Sequence, residues 1–289
     1  MFQLTVCRPT TLMPVVSEAS VTTRESLRWL PAEPVSDAEV LVLTVGKYFV
    51  DLRVFTSGPN AGKIDWSMGG VCLPLPATGV QGATRPLGSR FPNADQDWSA
   101  VDEAPLRFLN VIDQRLPAPS PHARLPATFV NFEESSQDLT TPTPDDVVFS
   151  PLASLPTTPG ARFLESGKMP NPGSEDTETY VPFEEIWREL PLASGSEVVF
   201  LETVGGDGLG KAYTARFGPW AIGLMDDAGT YLAWRDDLVG GKWASIFSFG
   251  GAAAKAKVPR VEDVSGWSEG QVVELNGRSW VVRAVGQSA

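Results

Sequence analysis

Two stretches of the sequence approach catalytic motifs, and each lacks a group that its chemistry needs. Gly205-Gly206-Asp207-Gly208-Leu209-Gly210-Lys211-Ala212 has the glycines and lysine of a phosphate-cradling loop. That loop requires a Ser or Thr hydroxyl after the lysine to hold magnesium, and it must open a helix whose first N–H groups face the phosphate. Here the position is Ala212, and Tyr213-Thr214-Ala215-Arg216-Phe217 reads as a strand, so the segment is predicted to be a hairpin turn. Gly266-Trp267-Ser268-Glu269-Gly270 has the form of a nucleophile elbow. An elbow needs a strand before it, a helix after it and a downstream histidine. The single histidine, His122, lies upstream, and a hairpin strand follows Gly270. One histidine with Cys7 and Cys72 cannot assemble a common zinc site. Asp226-Asp227 and Asp236-Asp237 lack EF-hand spacing and read as solvated turn residues. The expectation is a protein that works without metal or cofactor.

The residues that could anchor a guest lie between 28 and 66. In Tyr48-Phe49-Val50-Asp51-Leu52-Arg53-Val54-Phe55, strand alternation puts Phe49, Asp51, Arg53 and Phe55 on one face and Val50, Leu52 and Val54 on the other. If the Val/Leu face packs inward, Asp51 and Arg53 form a surface pair of little energetic value. If the Phe face looks into a barrel, they form a semi-buried polar pair that can orient a ligand. A buried Arg53 must then have Asp51 or Asp65 within reach, because an unpaired interior charge costs several kcal/mol. Arg28, Tyr48, Asp51, Arg53, Asp65 and Trp66 are the candidate ligand-binding set.

The elements that would position these residues are strands. Val40–Val45, Gly46-Lys47 and Tyr48–Phe55 read as a hairpin, and Lys63–Met68 as the next strand. Fourteen of the 25 prolines fall between 73 and 160, which predicts long loops with one ordered island at 106–113. Phe183, Ile186, Trp187 and Leu190 share one helical face behind Pro182, which predicts a short helix over 183–190. Strand-like runs follow at 197–204, 211–217, 219–225, 230–235 and 243–249. The chain ends in a hairpin whose Asn276-Gly277 calls for a type I′ turn. No βαβ alternation occurs. Hairpin spacing in both halves predicts a mainly β protein of two antiparallel barrel-like lobes. The expected division is an irregular lead over 1–23, an N-terminal lobe over 24–165 and a C-terminal lobe over 166–289.

Composition narrows the partners. The 289 residues are 42% hydrophobic, enough for one large or two ordinary domains. The formal charge of −12 opposes binding to nucleic acid or to an anionic membrane. Two cysteines do not make a disulfide framework. Arg8, Pro9 and Pro14 interrupt the first 20 residues, so no signal peptide is expected, although the Ser, Thr and Arg content fits a transit peptide. No run reaches the ~20 apolar residues of a transmembrane helix. The nine tryptophans read as core filling or as the lining of a ligand cavity.

Several phrases in succession carry a family resemblance. They include Ser26-Leu27-Arg28-Trp29, Phe49-Val50-Asp51-Leu52-Arg53, Ile64-Asp65-Trp66, Asp113-Gln114-Arg115 and Leu164-Glu165-Ser166-Gly167. Phe183–Arg188, Phe217–Gly223, Trp234–Asp237, Trp243–Phe249 and Asn276–Trp280 extend the series. Over most of residues 25–285 this order resembles the fungal HRI family, named for a member that interacts with a casein-kinase-type protein kinase. The resemblance implies two lipocalin-like β-barrel lobes and a cytoplasmic or nuclear location, and it brings no catalytic residues. The stretches from Trp66 to Asp113 and from Leu116 to Pro159 are longer and richer in proline than the family pattern, which suggests a specialised paralogue.

Three functions compete. The first is binding of an apolar small molecule in a barrel cavity. The second is a cofactor-independent cyclase, isomerase or pericyclase of fungal specialised metabolism, which needs only a shaped pocket and hydrogen-bond donors; Arg28, Arg53, Tyr48, Asp65 and Arg235 are candidates. The third is a non-catalytic partner of a protein kinase, with Thr141-Pro142, Thr143-Pro144 and Ser150-Pro151 as proline-directed sites.

Overall fold

The computed structural model describes residues 14–74, 104–114, 146–170, 180–204, 210–227, 230–250 and 252–289. The expected loops at 75–103 and 115–145 lie outside the described residues, as do His122 and the glycines of 205–209. Strand β1 is Val15–Val16 and β2 is Ala19–Trp29; β3 (Ala38–Val45) and β4 (Tyr48–Phe55) form the expected hairpin. They are followed by β5 (Ile64–Pro74), β6 (Ala104–Asp113), β7 (Asp146–Leu152), β8 (Arg162–Pro170) and β9 (Tyr180–Leu190). Strands β2 to β9 pair in sequence order, every neighbour antiparallel, and β9 returns to β2 to close a barrel.

The second lobe is an eight-stranded curled sheet that stays open. It contains β10 (Glu197–Thr203), β11 (Lys211–Phe217), β12 (Trp220–Asp227), β13 (Thr230–Val239) and β14 (Lys242–Phe249), with β15 (Val272–Leu275) and β16 (Arg278–Ser288). The order is β1-β16-β10-β11-β12-β13-β14, with β15 alongside β16. The only α-helix among the described residues is α1, Ala252–Lys257. No helix among them is long and apolar enough to cross a membrane.

Two buried layers hold the lobes. The first lies between them. Leu41, Leu43, Val50, Leu52 and Ile112 on the outside of the barrel meet Phe200, Tyr213, Phe217, Ile222 and Leu224 on the sheet. This explains why β3 reads as a nearly unbroken apolar run, since its other face, with Val40 and Val42, is buried inside the barrel. Gly69 allows the close approach: a Cβ there would sit 3.0 Å from the Tyr213 ring. The second layer covers the far side of the sheet, where Val258, Val261 and Val264, after α1, pack on Val199, Leu201, Trp234 and Trp280. Trp234 donates its indole N–H to the Val258 carbonyl at 2.8 Å, which fixes that cover.

Several expectations need correction. The predicted helix over 183–190 is strand β9. Phe183, Glu185 and Trp187 alternate inward, and hydrogen bonding to β2 on one side and β8 on the other outweighs the helical spacing of its apolar residues. The N-terminal lead is shorter than 23 residues, because β1 and most of the early part of β2 are already paired. The barrel runs to Leu190, so a division at 165 would cut through β8, whose partner β9 is needed for closure. Strand β7 lies inside the proline-rich region and carries its own Pro151 near its end. At the C-terminus, Asn276 and Gly277 have φ of 51° and 74°, as a type I′ turn requires.

Gly223 supplies a test of the second layer. A Cβ at this position would meet the Trp234 indole at 2.3 Å. Gly223→Ala is therefore expected to displace Trp234, weaken its bond to Val258 and cost about 1–3 kcal/mol in urea denaturation; an unchanged midpoint would contradict this packing.

Candidate binding site

The alternation of β4 resolves the choice left open by the sequence. Val50 and Leu52 face the second lobe, and Phe49, Asp51 and Arg53 face into the barrel. Asp51 and Arg53 are 4% and 5% exposed, so the surface-pair reading is overturned. The strand has two apolar environments to satisfy, and the sheet-facing one takes the Val/Leu side.

A charged cluster fills this part of the interior. Arg53 donates from Nε and Nη2 to Asp51 Oδ2 at 3.0 and 2.8 Å, and from Nη1 to Glu185 Oε1 at 2.8 Å. Glu185 Oε1 also accepts from Arg24 Nη1 at 2.7 Å. The second guanidinium nitrogen of Arg24, Nη2, lies 3.7 Å from Asp65 Oδ2, an ion pair beyond hydrogen-bond range. Trp66 and Trp187 stand over the Arg53 guanidinium at 5.0 and 5.5 Å from their ring centroids. Such contacts are worth up to about 2 kcal/mol when desolvated. Trp66 in turn donates its indole N–H to Asp113 Oδ1 at 2.8 Å, and Asn110 Nδ2 donates to Asp113 Oδ2 at 2.9 Å. Apolar and aromatic side chains, including Phe49, Met68, Cys72 and Phe163, line the rest of the interior.

Strand register adds Glu165 on β8, directly opposite Glu185 on β9. It is 7% exposed and has no ion pair among the described residues. Burial, reinforced by the neighbouring Glu185 and opposed by Arg53, pushes its carboxyl up to about 8. Burial also raises Asp51, against the pull of Arg53. Among the side chains of Arg24, Asp51, Arg53 and Glu185, Asp51 Oδ1 and Arg24 Nη2 are buried without a hydrogen-bond partner.

Of the candidate residues, the fold brings Asp51, Arg53, Asp65 and Trp66 together and leaves two apart. Arg28 lies on the outer wall, 38% exposed at its side chain and paired with Glu184. Tyr48 points toward the second lobe, against the Phe200 ring and beneath the Arg283 guanidinium. Burial pushes its hydroxyl up to about 12. Arg235 is committed to Asp237 and, across the lobes, to Glu39. Sequence reasoning missed Arg24, Glu165 and Glu185. The signal was present in Phe163-Leu164-Glu165 and in Phe183–Trp187, where apolar and charged residues alternate as they do in 49–55, but the helical reading of 183–190 hid the second. Ala212 lies inside β11, paired with β12, as the hairpin reading requires. Ser268 sits in a turn followed by strand β15. Among the described residues, no group of three His, Cys, Asp or Glu side chains is placed to hold a metal ion.

Two outcomes follow from the cluster. Arg53→Ala leaves the buried Asp51 carboxylate without its cation and Glu185 with Arg24 alone, so it is expected to cost about 3–5 kcal/mol in denaturant unfolding; a loss below 1 kcal/mol would show that the cluster is hydrated or unpaired. Glu165 binds its proton more tightly folded, near 8, than unfolded, near 4.5. Its favourable contribution is complete below about pH 4.5 and is lost as pH rises toward 8. Glu165→Gln should therefore leave stability at pH 4.5 nearly unchanged and raise it at pH 8.5, by an amount on the order of 2–4 kcal/mol. Parallel pH profiles for the two proteins would rule this out.

The chain was compared with known proteins. No curated protein matches it. Among solved structures, it is similar to the uncharacterized protein YLR301w of Saccharomyces cerevisiae, with a TM-score of 0.57 and 14% identity over 92% of this chain and 98% of that one. At that identity the likeness speaks for the fold alone. The family described as Protein HRI1 matches residues 20–283. That span takes in both the closed barrel and nearly all of the curled sheet, and on this match the chain belongs to the HRI1 family.

Proposed function

We propose that the interior of the N-terminal barrel binds a small molecule with a mainly apolar body and a hydrogen-bonding head, without metal or cofactor. The observation that carries this reading is the pair of buried, unpartnered polar atoms, Asp51 Oδ1 and Arg24 Nη2, inside an aromatic-lined barrel. Leaving either unmet costs about 1–3 kcal/mol, and a guest offering a donor and an acceptor would recover it. Closed barrels of eight strands are wide enough to hold either packed side chains or one small ligand.

The elevated carboxyl of Glu165 gives support to a second reading. A carboxyl titrating near neutrality in an apolar setting is suited to general acid work, so a cofactor-independent isomerase or cyclase would use the same chamber. Turnover of the bound molecule separates the two readings.

The test is titration of the full chain with the neutral apolar dye N-phenyl-1-naphthylamine. Saturable one-to-one binding is expected, with energy transfer from tryptophan that falls in the double variant Trp66→Phe, Trp187→Phe while the affinity stays within about threefold. Unsaturable binding, or transfer that the double variant leaves untouched, would place the dye outside the barrel.

A further inference from the structure

We infer that the free edge of the curled sheet is the contact surface for a second copy of this chain, with β14 lying antiparallel to the partner's β14 across a two-fold axis. This surface is separate from the barrel interior, and the inference holds whether or not the chamber binds a guest.

The two ends of the open sheet are finished differently. One ends in β1, two residues long and preceded by Pro14. The other ends in β14, eight residues long and without a proline. Among the described residues β14 pairs with β13 alone. Leu238 on β13 donates its N–H away from β14, to the Pro219 carbonyl at 2.8 Å, so Trp243 opposite it turns its own N–H and C=O outward. Such an edge is a template for a further strand unless prolines, charges or short length blunt it. The single charge of β14 is Lys242, at its first position. The register shift between Arg235 and Asp236 leaves Ile246 without an opposite residue on β13. Ile246 and Phe249 are 46% and 49% exposed, and Leu238 and Val239 at the turn into β14 are 40% and 61% exposed. An added strand would take this apolar surface out of water.

Charge identifies the occupant. Each copy carries a formal charge of −12, so two copies repel wherever their carboxylates meet. Residues 238–261 contain no Asp or Glu. The carboxylates that approach this region are committed: Asp236 to Lys255 and Arg260, Asp237 to Arg235, and Asp227 to Lys257 and Arg278. The β14 edge is therefore a place where two acidic molecules can meet without bringing free carboxylates together. Antiparallel pairing in full register sets the two Lys242 side chains at opposite ends of the joined ladder, roughly 24 Å apart at ~3.4 Å per residue. Parallel pairing would set them side by side, which like charges disfavour. A two-fold axis lets one patch serve both copies and closes the assembly at two. A basic peptide would find no carboxylate on β14, and an acidic one would be opposed by the net charge of the molecule.

The experiment is sedimentation velocity of the full chain from about 1 to about 100 µM, with hydrogen–deuterium exchange on the same samples. The mass is expected to rise from the 31.1 kDa of one chain to twice that value. Exchange over 242–249 should slow about tenfold or more at the high concentration, while exchange over β15 stays unchanged. Raising salt to about 1 M should tighten the association severalfold by screening the repulsion between copies. The double variant Val239→Lys, Ile246→Lys should weaken it about tenfold or more without moving the urea midpoint. Leu155→Lys, at an exposed position on the barrel lobe, should leave it intact. If the double variant loses stability, exchange in the native protein decides alone. A monomer at every concentration would overturn the inference. Slow exchange over 242–249 throughout would then mean that the chain covers its own edge, and fast exchange that the edge is open to a different partner. A dimer whose 242–249 amides stay unprotected, or that a stable double variant leaves intact, would join through another surface and would overturn it too.

Discussion

The guanidinium of Arg53 is the group around which the N-terminal lobe is organised. A positive charge inside a barrel is tolerable only with partners, and those of Arg53 come from its own strand and from β9. Asp51 is two residues away on the same face of β4, and Glu185 comes from β9. Glu185 shares its oxygen with Arg24 on β2, and Arg24 reaches Asp65 on β5. Strands β2 and β9 form the seam where the barrel closes, so Arg24 and Glu185 tie that seam from within. Trp66 and Trp187 cover the guanidinium and exclude water from these ion pairs, which strengthens them. Such a cluster does not stabilise the fold more than a well-packed apolar core of the same volume would. Its use is to hold polar groups in fixed positions within an otherwise apolar space.

The second lobe explains why that space can be polar at all. The apolar side chains of β3 and β4 are needed on the outside of the barrel, where Leu41, Leu43, Val50 and Leu52 meet Phe200, Tyr213 and Phe217. Hydrophobic burial between the lobes relieves the barrel interior of part of its usual task of driving folding. Polar contacts lock the register between lobes: Ser67 Oγ lies 2.7 Å from the Tyr231 hydroxyl, and Arg235 donates to Glu39 at 2.7 Å. The curled sheet is covered on its far side by Val258, Val261 and Val264, so it serves as a buttress with two buried faces.

Much of this was legible in the sequence where the signal is local. The 38–55 hairpin, the run of strands from 197 to 249 and the Asn276-Gly277 turn follow from alternation and turn chemistry alone. The candidate site was half legible. Asp51, Arg53, Asp65 and Trp66 come together because all four lie on β4 and β5, which pair with each other. Arg28 and Tyr48 were misplaced by a single step of alternation: the irregular pairing between Arg24 and Ser26 resets the faces of β2, and Tyr48 falls on the Val/Leu side of β4. Glu165 and Glu185 are brought in from more than 100 residues away by barrel closure, a non-local event that no window of sequence reports. Segment 183–190 satisfies helical and strand periodicity at once, and only its two neighbouring strands decide between them.

The central claim is that the charged cluster of the barrel interior includes Glu165, buried opposite Glu185 and pushed well above the ordinary carboxyl range by that burial. The most direct measurement is carbon-13 NMR of the glutamate side-chain carboxyls as a function of pH. The account predicts one carboxyl, absent in Glu165→Gln, that titrates near 8 rather than near 4.5. A spectrum in which every glutamate titrates below about 5, close to its ordinary value, would contradict it.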